Sequence, residues 1–309
     1  MKDNLIIFPF AFAEGAKTGA NLLNKRVDAK MVYIRNAIVA SVSAKINNPD
    51  CDVAFVSNCD IEDNYKTIFK KYAIQTLFCP FDSFRFDDSY DWCLAFYKLC
   101  ALKYVLGLPY KNVLCLDSDT YTRREFSYLW GGVKKNIILY DRLGSTLEPL
   151  SILKSLDYVR LSYNNRIQRV GGEFFAASIS NLRPFINKAE EIFDLMKHND
   201  IRVPSGDEYI TTLTAGLFHN IDFSGGRFIT RLETGPIRHL CPRGQIEITP
   251  IWHVPSEKKY GLLKMYDYII SHNALPQDDM VFKIFHIDHR SVLASLKATV
   301  LTIKKCVGL

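Results

Sequence analysis

The amino-acid sequence predicts an α/β protein with a mostly parallel sheet flanked by helices. Short apolar segments typical of buried strands alternate with segments whose apolar residues recur at helical spacing. A strand, a helix and a second strand in succession favour parallel pairing, because parallel neighbours need a crossover connection. The 309 residues are 48% hydrophobic and 23% charged, which is typical of a folded globular protein with a large core.

The first 80 residues predict three strands and two helices. The strands are Leu5–Phe10, Asp52–Asn58 and Gln75–Cys79. Between Val27 and Ile46, apolar residues follow one another at steps of three or four, so they share one face of a helix. Tyr65–Tyr72 predicts a second, shorter helix. This order predicts a parallel three-stranded unit.

The remaining chain predicts a mixed second half of the sheet and several helices. A helix begins at Asp91, and short strands follow at Asn112–Leu116, Ile137–Tyr140 and Gly171–Ala177. Asn181 predicts a helix cap, with Pro184 near the start of that helix. The segment 145–169 has no sheet pattern. The later predicted elements are helices at Asp207–Ala215, Tyr260–His272 and Ser291–Lys305 and a strand at Ile246–Val254.

Charge and motif content exclude several classes of function. The net charge of +6 comes from 39 basic and 33 acidic residues that are mixed along the chain. This argues against a nucleic-acid partner and fits an anionic ligand. The sequence has no P-loop, no G-x-S-x-G, no H-E-x-x-H and no G-x-G-x-x-G after the first strand.

Two further patterns bear on the compartment. Eight cysteines lie mostly in apolar segments without a C-x-x-C pair, which favours reduced thiols and a cytoplasmic protein. No segment reaches the roughly 18 apolar residues of a membrane span. The segment Leu293–Val307 is apolar with three lysines and predicts a basic helix that rests on a membrane or packs on the protein.

The sharpest chemical feature is a pair of carboxylates at the end of an apolar strand. Asp117 and Asp119 follow Asn112–Leu116, with Ser118 between them. Open α/β sheets bind ligands at the carboxyl ends of their strands. Two like charges at that place are costly unless a counter-charge is present. A divalent cation that also binds a diphosphate would supply it.

These residues carry a resemblance to a known family. Trp92–Leu102 followed by Tyr110–Asp119 resembles the GT-A glycosyltransferases, in which a helix of the form Y/F-K-L-x-A-L precedes Y-x-x-V-L-x-L-D-x-D. The plan is most similar to the family 8 type of nucleotide-sugar transferase, over residues 1–260. The resemblance implies a nucleotide-binding half at 1–122, an acceptor half at 123–260 and a helical appendage at 261–309.

The resemblance also implies roles for single residues. Asp119 would ligate Mn²⁺ or Mg²⁺, and Asp117 would bind the metal and lie near the sugar or ribose, with Ser118 beside them. The remaining predicted ligand-binding residues are those that flank the nucleotide (Pro9, Phe10, Ala11), one near the base or ribose (Asp60) and one near a phosphate or the sugar (Lys98). Equally, Lys98 can be only a solvated helix residue, and Asp60 can be only a turn residue.

A second block lies near residue 250. Thr249–His253, followed by Lys258 and Lys259, resembles the family pattern I-I-H-F-x-G-x-x-K-P-W, in which the histidine completes the metal site and the lysine holds the diphosphate. The sequence lacks the glycine of this pattern and has Tyr260 in place of Pro-Trp. His286, which follows Phe285 at the end of another predicted apolar strand, is the competing metal ligand.

A third block supplies the predicted catalytic carboxylates. Asp207 and Glu208 follow Gly206 and resemble the D-Q-x-x-L helix start of the same family, where the acidic residue points at the transferred sugar. It can act there as a base or stabilise a positively charged transition state. Acidic residues also favour helix N-termini without any catalytic role.

Together the residues predict a metal-dependent glycosyltransferase. It would move a sugar from a UDP- or GDP-sugar donor to a hydroxyl of a glycan or glycolipid acceptor, in surface polysaccharide, lipopolysaccharide or viral glycan synthesis. Two alternatives stay open: a nucleotidyltransferase that acts on a sugar phosphate, and a non-catalytic domain that binds sugar nucleotides. The former releases pyrophosphate, whereas a glycosyltransferase releases a nucleoside diphosphate.

Overall fold

The structure is a computed structural model that describes residues 2–14, 28–90, 92–142, 168–201, 206–232 and 248–285, with 234, 246 and 287. The predicted helix at Ser291–Lys305, the basic segment Leu293–Val307 and His286 lie outside the described residues, as does most of the segment 145–169. No helix in the described part of the chain is long and apolar enough to cross a membrane. The six cysteines within those ranges are all free thiols.

A seven-stranded sheet forms the centre of the protein. Its order is β3-β2-β1-β4-β7-β6-β8, and only β7 pairs antiparallel with both of its neighbours. The strands are β1 (Asn4–Phe10), β2 (Asp52–Ser57), β3 (Gln75–Phe78), β4 (Asn112–Leu116), β6 (Ile137–Asp141), β7 (Val170–Ser178) and β8 (Ile221–Asp222). The predicted mostly parallel sheet with a mixed second half is therefore confirmed.

A small second sheet extends from the end of β4. Its strands are β5 (Thr120–Thr122), β9 (Ile229–Arg231) and β10 (Ile251–His253). In this sheet β10 lies between an antiparallel β5 and a parallel β9. Because β5 begins soon after β4 ends, the second sheet brings residue 253 back to the carboxyl edge of the first.

Helices cover both faces of the main sheet. They are α1 (Ala29–Asn47), α2 (Asp63–Lys71), α3 (Tyr97–Val105), α4 (Leu129–Val133), α5 (Ile179–His198), α6 (Asp207–Ala215), α7 (Gly261–His272) and α8 (Asp278–Ile284). Alternate residues of β1 point to opposite faces, as the strand period requires. Ile6 and Phe8 pack in one core with α1, α7 and α8, while Leu5 and Ile7 pack in the other with α3, α5 and α6.

Two predicted helix starts are wrong. The cap of α5 is Ser178, whose hydroxyl accepts a hydrogen bond from the Asn181 N–H at 3.3 Å, so Asn181 lies in the first turn. The helix expected from Asp91 begins later as an α-helix, at Tyr97. Trp92 has a left-handed backbone (φ +74°) and a short 3₁₀ turn, Cys93–Phe96, precedes α3.

Two predicted strands also need correction. The strand expected over Ile246–Val254 is only the three residues of β10, because Pro250 has no N–H to donate to a ladder. The apolar segment before His286 is not a strand but helix α8, which ends at Ile284. Its apolar residues Val281 and Phe282 are buried against the core.

A buried arginine joins the second sheet to α8. The Arg123 side chain is 1% exposed, and its Nη2 lies 2.7 Å from Asp278 Oδ2. Its guanidinium carbon lies 4.2 Å from the ring centre of Trp252. The charge is therefore paired and stacked on an aromatic face, which is the environment that a buried guanidinium needs.

We expect Arg123→Ala to lower the free energy of unfolding by about 3 kcal/mol, through lost packing and a lost ion pair. Urea denaturation measures this change. The exposed neighbour Arg124 supplies the control, since Arg124→Ala should change stability by less than about 0.5 kcal/mol. Equal denaturation midpoints for the two variants would contradict this account of Arg123.

Candidate functional site

The end of β4 places two aspartates at the carboxyl edge of the main sheet. All five residues of β4 are buried, and the chain then turns through Asp117 and Asp119 into β5. The Thr120 hydroxyl donates to the Asp117 carbonyl at 2.8 Å, and the Val254 N–H donates to the Asp119 carbonyl at 2.9 Å. These bonds fix the backbone of the turn, so the carboxylates have a defined direction.

His253 joins the aspartates through the register of the second sheet. It pairs with Thr120, the residue after Asp119. Its Nε2 lies 3.1 Å from Asp119 Oδ2 and 3.9 Å from Asp117 Oδ2. One ligand atom from each of the three side chains lies within 4.8 Å of the others. Carboxylate oxygens and an imidazole nitrogen at this spacing fit a divalent cation such as Mn²⁺ or Mg²⁺.

Positive charge surrounds Asp119 in the structure. Burial alone would raise its pKa, but Lys258, at 2.5 Å, and His253 hold the pKa well below its usual value. Burial would lower the pKa of His253, and Asp119 and Glu173 instead raise it to about 9. The Lys258 ammonium and the His253 imidazole thus both contact the buried carboxylate of Asp119.

Lys98 connects the aspartate pair with the start of α6. Its Nζ lies 2.7 Å from Asp117 Oδ1 and 3.5 Å from Asp207 Oδ2, and it donates to the Gly172 carbonyl at 3.0 Å. Burial opposes its charge, but the two carboxylates raise its pKa well above the usual value. A Cβ on Gly172 would lie 2.8 Å from this ammonium and 2.9 Å from Asp207 Oδ2, so a larger residue at 172 would require these side chains to shift.

The two acidic residues of α6 have different surroundings. Burial raises the pKa of Asp207 to about 7, and Lys98 only partly opposes this effect. Glu208 is bound instead by Arg142 at 3.1 Å, by Arg169 at 3.5 Å and by the Gly172 N–H at 3.3 Å. The protonation of Asp207 can thus change near neutral pH.

The pKa of Asp207 predicts a pH dependence of stability. Folding raises it from 3.8 to about 7, so the folded protein holds a proton that the unfolded chain releases between these values. Its contribution is full below pH 3.8 and is lost as the pH rises to about 7, by about 1.4 kcal/mol per pH unit.

Asp207→Asn cannot ionise, so its melting temperature in EDTA should rise relative to wild type between about pH 4 and about pH 7. Asp50→Asn, at an exposed position, should run parallel to wild type over the same interval. Parallel curves for Asp207→Asn and wild type would refute the raised pKa.

A cleft of about 230 Å³ runs along the edge of the sheet from these carboxylates. Its walls come from β1 and the chain after it, from α1, from the segment before α3 and from the turn after β4. The lining residues are Pro9, Phe10, Ala11, Phe12, Ala29, Lys30, Tyr33, Trp92, Leu94, Ala95, Lys98, Asp117, Ser118, Asp119 and Lys258. Eight of the predicted site residues are among them.

Other predicted site residues lie outside this cleft. The Asp60 side chain is 85% exposed and pairs with Lys66, although its carbonyl accepts from the cleft residue Lys30. Lys259 does not line the cleft, in contrast to its neighbour Lys258. Asp207 lies behind Lys98, and His253 behind Asp119.

The sequence analysis missed the aromatic end of the cleft. Asn58 exchanges two hydrogen bonds with the backbone of Phe12, which fixes the chain after β1 to the end of β2. The Lys30 ammonium lies 5.3 Å from the ring centre of Phe12. Lys30 and Tyr33 are three residues apart in α1, so their spacing places them on one helix face. This spacing in the sequence could have predicted that the two side chains contribute to the same wall of the cleft.

The comparisons with known proteins identify the fold. No protein-family model and no curated protein matched the chain. Among solved structures, the galactosyltransferase LgtC in complex with donor and acceptor sugar analogues aligns over 89% of this chain and 98% of that one, with a TM-score of 0.52 and 13% identity. An active-site mutant of LgtC aligns over 91% of this chain and 99% of that one, with the same score and identity. The chain therefore has the predicted GT-A fold.

Proposed function

We propose that this protein is a metal-dependent glycosyltransferase. It would transfer a sugar from a nucleoside-diphosphate sugar to a hydroxyl of a glycan or glycolipid acceptor. The observation that carries the proposal is the cluster of Asp117, Asp119 and His253 beside a cleft in a GT-A fold. The galactosyltransferase with this fold was solved with donor and acceptor sugar analogues.

Asp117, Asp119 and His253 are the residues that would hold the metal. A divalent cation held by these residues would neutralise the diphosphate of the donor and so make the nucleoside diphosphate a better leaving group. Mn²⁺ and Mg²⁺ both suit this mixture of oxygen and nitrogen ligands. Because Asp119 is buried, its carboxylate needs a neighbouring positive charge to stay ionised and able to bind the metal.

The rest of the cleft suits a nucleotide. The Lys258 ammonium, next to Asp119, can form an ion pair with a phosphate oxygen and stabilise the charge that develops as the diphosphate departs. Phe12 and Tyr33 offer aromatic surface for a base, and Lys30 can donate to a carbonyl oxygen. Uracil and guanine both carry such oxygens, so this end of the cleft is compatible with the UDP- and GDP-sugars that we propose as donors.

We retain Asp207 and Glu208 as the proposed catalytic pair, and we assign them different roles. Asp207 can exchange a proton near neutral pH, and Lys98 links it to Asp117. Such a carboxylate can accept the proton of the acceptor hydroxyl as the acceptor oxygen bonds to the sugar and the bond from the sugar to the diphosphate breaks, which releases the nucleoside diphosphate. Glu208, which is bound by Arg142 and Arg169, would instead hold these two arginines in place beside Asp207.

The finer assignments rest on the sequence alone: the family, its boundaries and its pathway on the resemblance, and the compartment on the cysteine pattern. They are membership of glycosyltransferase family 8, a catalytic unit at 1–260 with helices after it, and a cytoplasmic place in surface polysaccharide, lipopolysaccharide or viral glycan synthesis. Of the predicted appendage, the described helices α7 and α8 share one core with α1.

The proposal is tested by the products that form from nucleotide sugars. Wild type is incubated with UDP-, GDP-, dTDP- and CMP-sugars, with Mn²⁺ or EDTA, and water serves as the slow acceptor. We expect a nucleoside diphosphate and free sugar from one donor class, only with metal. Pyrophosphate formed from a nucleoside triphosphate and a sugar phosphate would establish a nucleotidyltransferase instead. Binding without metal and without turnover would establish a non-catalytic domain.

A further inference from the structure

Glu173 contacts the backbone of one predicted metal ligand and the side chain of another. It lies near the start of β7, where Leu116 of β4 pairs with Phe174, so it stands beside Asp117. The Asp117 N–H donates to the Glu173 carbonyl at 3.4 Å. Its side chain is 1% exposed and points toward the second sheet.

The buried carboxylate of Glu173 binds the far side of the His253 ring. Its Oε1 lies 3.1 Å from His253 Nδ1, while Nε2 on the opposite side of the ring faces Asp119 at 3.1 Å. The same oxygen lies 3.2 Å from Arg231 Nη1. Arg231, Glu173, His253 and Asp119 thus form a continuous chain of polar contacts from β9 to the end of β4.

The chemistry of imidazole shows which nitrogen of His253 these contacts leave free to bind a cation. A neutral imidazole binds a cation through the lone pair of one nitrogen and carries its hydrogen on the other. A carboxylate that accepts the Nδ1 hydrogen leaves the Nε2 lone pair free, and it also holds the ring in one orientation. Nε2 is the nitrogen that faces Asp117 and Asp119.

We propose that Glu173 is a positioning residue that orients His253 for a divalent cation at the Asp117–Asp119–His253 cluster. This inference rests on the proposed metal-dependent function and adds a residue outside the ligand set. Arg231 balances the charge of Glu173, so the buried carboxylate does not stand alone. Glu173 itself would not touch the cation, the donor or the acceptor.

Gly171, two residues before Glu173, leaves the space that the Glu173 carboxylate occupies. A Cβ on Gly171 would lie 2.1 Å from Glu173 Oε2 and 2.9 Å from the ring of Tyr140. Any larger residue at 171 would therefore push the carboxylate from its place under His253. The pair Gly171 and Gly172 gives space to two ionic side chains, Glu173 on one side and Lys98 on the other.

The test measures Mn²⁺ affinity on the full chain, by electron paramagnetic resonance of the free ion. We expect Glu173→Ala to weaken Mn²⁺ binding by about 10- to 100-fold, as loss of such a supporting carboxylate does. Glu173→Gln keeps an acceptor oxygen of the same reach, so its affinity should lie between those of wild type and Glu173→Ala. His253→Ala provides the reference for loss of the ligand itself.

Asp278→Asn is the control for a purely structural effect. Asp278 pairs with buried Arg123 away from the cluster, so this variant should lower the melting temperature in EDTA without changing Mn²⁺ affinity. If Glu173→Ala fails to fold, Glu173→Gln decides, and a wild-type affinity there would overturn the proposal. Weaker binding in His253→Ala with unchanged binding in both Glu173 variants would overturn the role of Glu173 alone. No Mn²⁺ binding by wild type would overturn the proposed function as well.

Discussion

Replacing Asp119 by asparagine is expected to lower the rate of sugar transfer by at least about 10³-fold, which corresponds to about 4 kcal/mol of transition-state stabilisation. Asp119 is the more buried of the two predicted carboxylate ligands, and both His253 and Lys258 contact its Oδ2. An amide keeps the shape of the side chain and removes the charge. The diphosphate would then leave without a fully held cation beside it.

The effect of Asp119→Asn should appear in metal binding as well as in rate. Mn²⁺ affinity should fall together with turnover, while the far-UV circular dichroism stays that of wild type. Asp63→Asn, whose side chain is 96% exposed at the start of α2, is the matched control and should retain full activity. Turnover by Asp119→Asn within a few-fold of wild type would exclude Asp119 as a metal ligand.

Replacing Lys258 by methionine is expected to lower kcat/KM for the donor by about 10²- to 10³-fold. The ammonium lines the cleft beside Asp119, where it can stabilise the charge on the departing diphosphate. Methionine keeps most of the length and packing of lysine but cannot donate or carry charge. The loss should therefore come from the chemistry of departure rather than from the fold.

Metal affinity separates this variant from Asp119→Asn. Lys258 occupies one oxygen of Asp119, so Lys258→Met should bind Mn²⁺ at least as tightly as wild type while it turns over slowly. Lys259→Met is the neighbouring control, because Lys259 does not line the cleft. Equal losses of activity at 258 and 259 would show that only the general positive charge of this segment matters.

The sequence predicted those parts of the site that depend on local order. An apolar strand that ends in Asp117 and Asp119 places both at the ligand-binding edge of a parallel sheet, whatever the rest of the chain does. His253 was found because it lies near the end of a predicted strand and its surroundings resemble the family pattern, although the observed strand begins only at Ile251. Lys98 followed from the resemblance of its helix, and the structure pairs it with Asp117.

The features that the sequence did not predict correctly depend on contacts between residues far apart in the chain. Glu173 meets His253 eighty positions further along the chain, and no spacing in the sequence announces such a pair. Ser178 and Asn181 are both good helix caps, and the choice fell to Ser178 because β7 continues to that residue. The segment before His286 is short and apolar, a pattern that fits a strand or a buried helix equally well.

The central claim is that a metal and a nucleoside diphosphate share the cluster formed by Asp117, Asp119 and His253. The most direct measurement is the melting temperature of wild type with UDP, GDP, dTDP and CDP, each with Mn²⁺ and with EDTA. We expect one diphosphate to stabilise the protein in Mn²⁺ alone, by about 2.7 kcal/mol at a hundredfold excess over its Kd. Equal stabilisation in EDTA, or no stabilisation by any diphosphate in Mn²⁺, would contradict the claim.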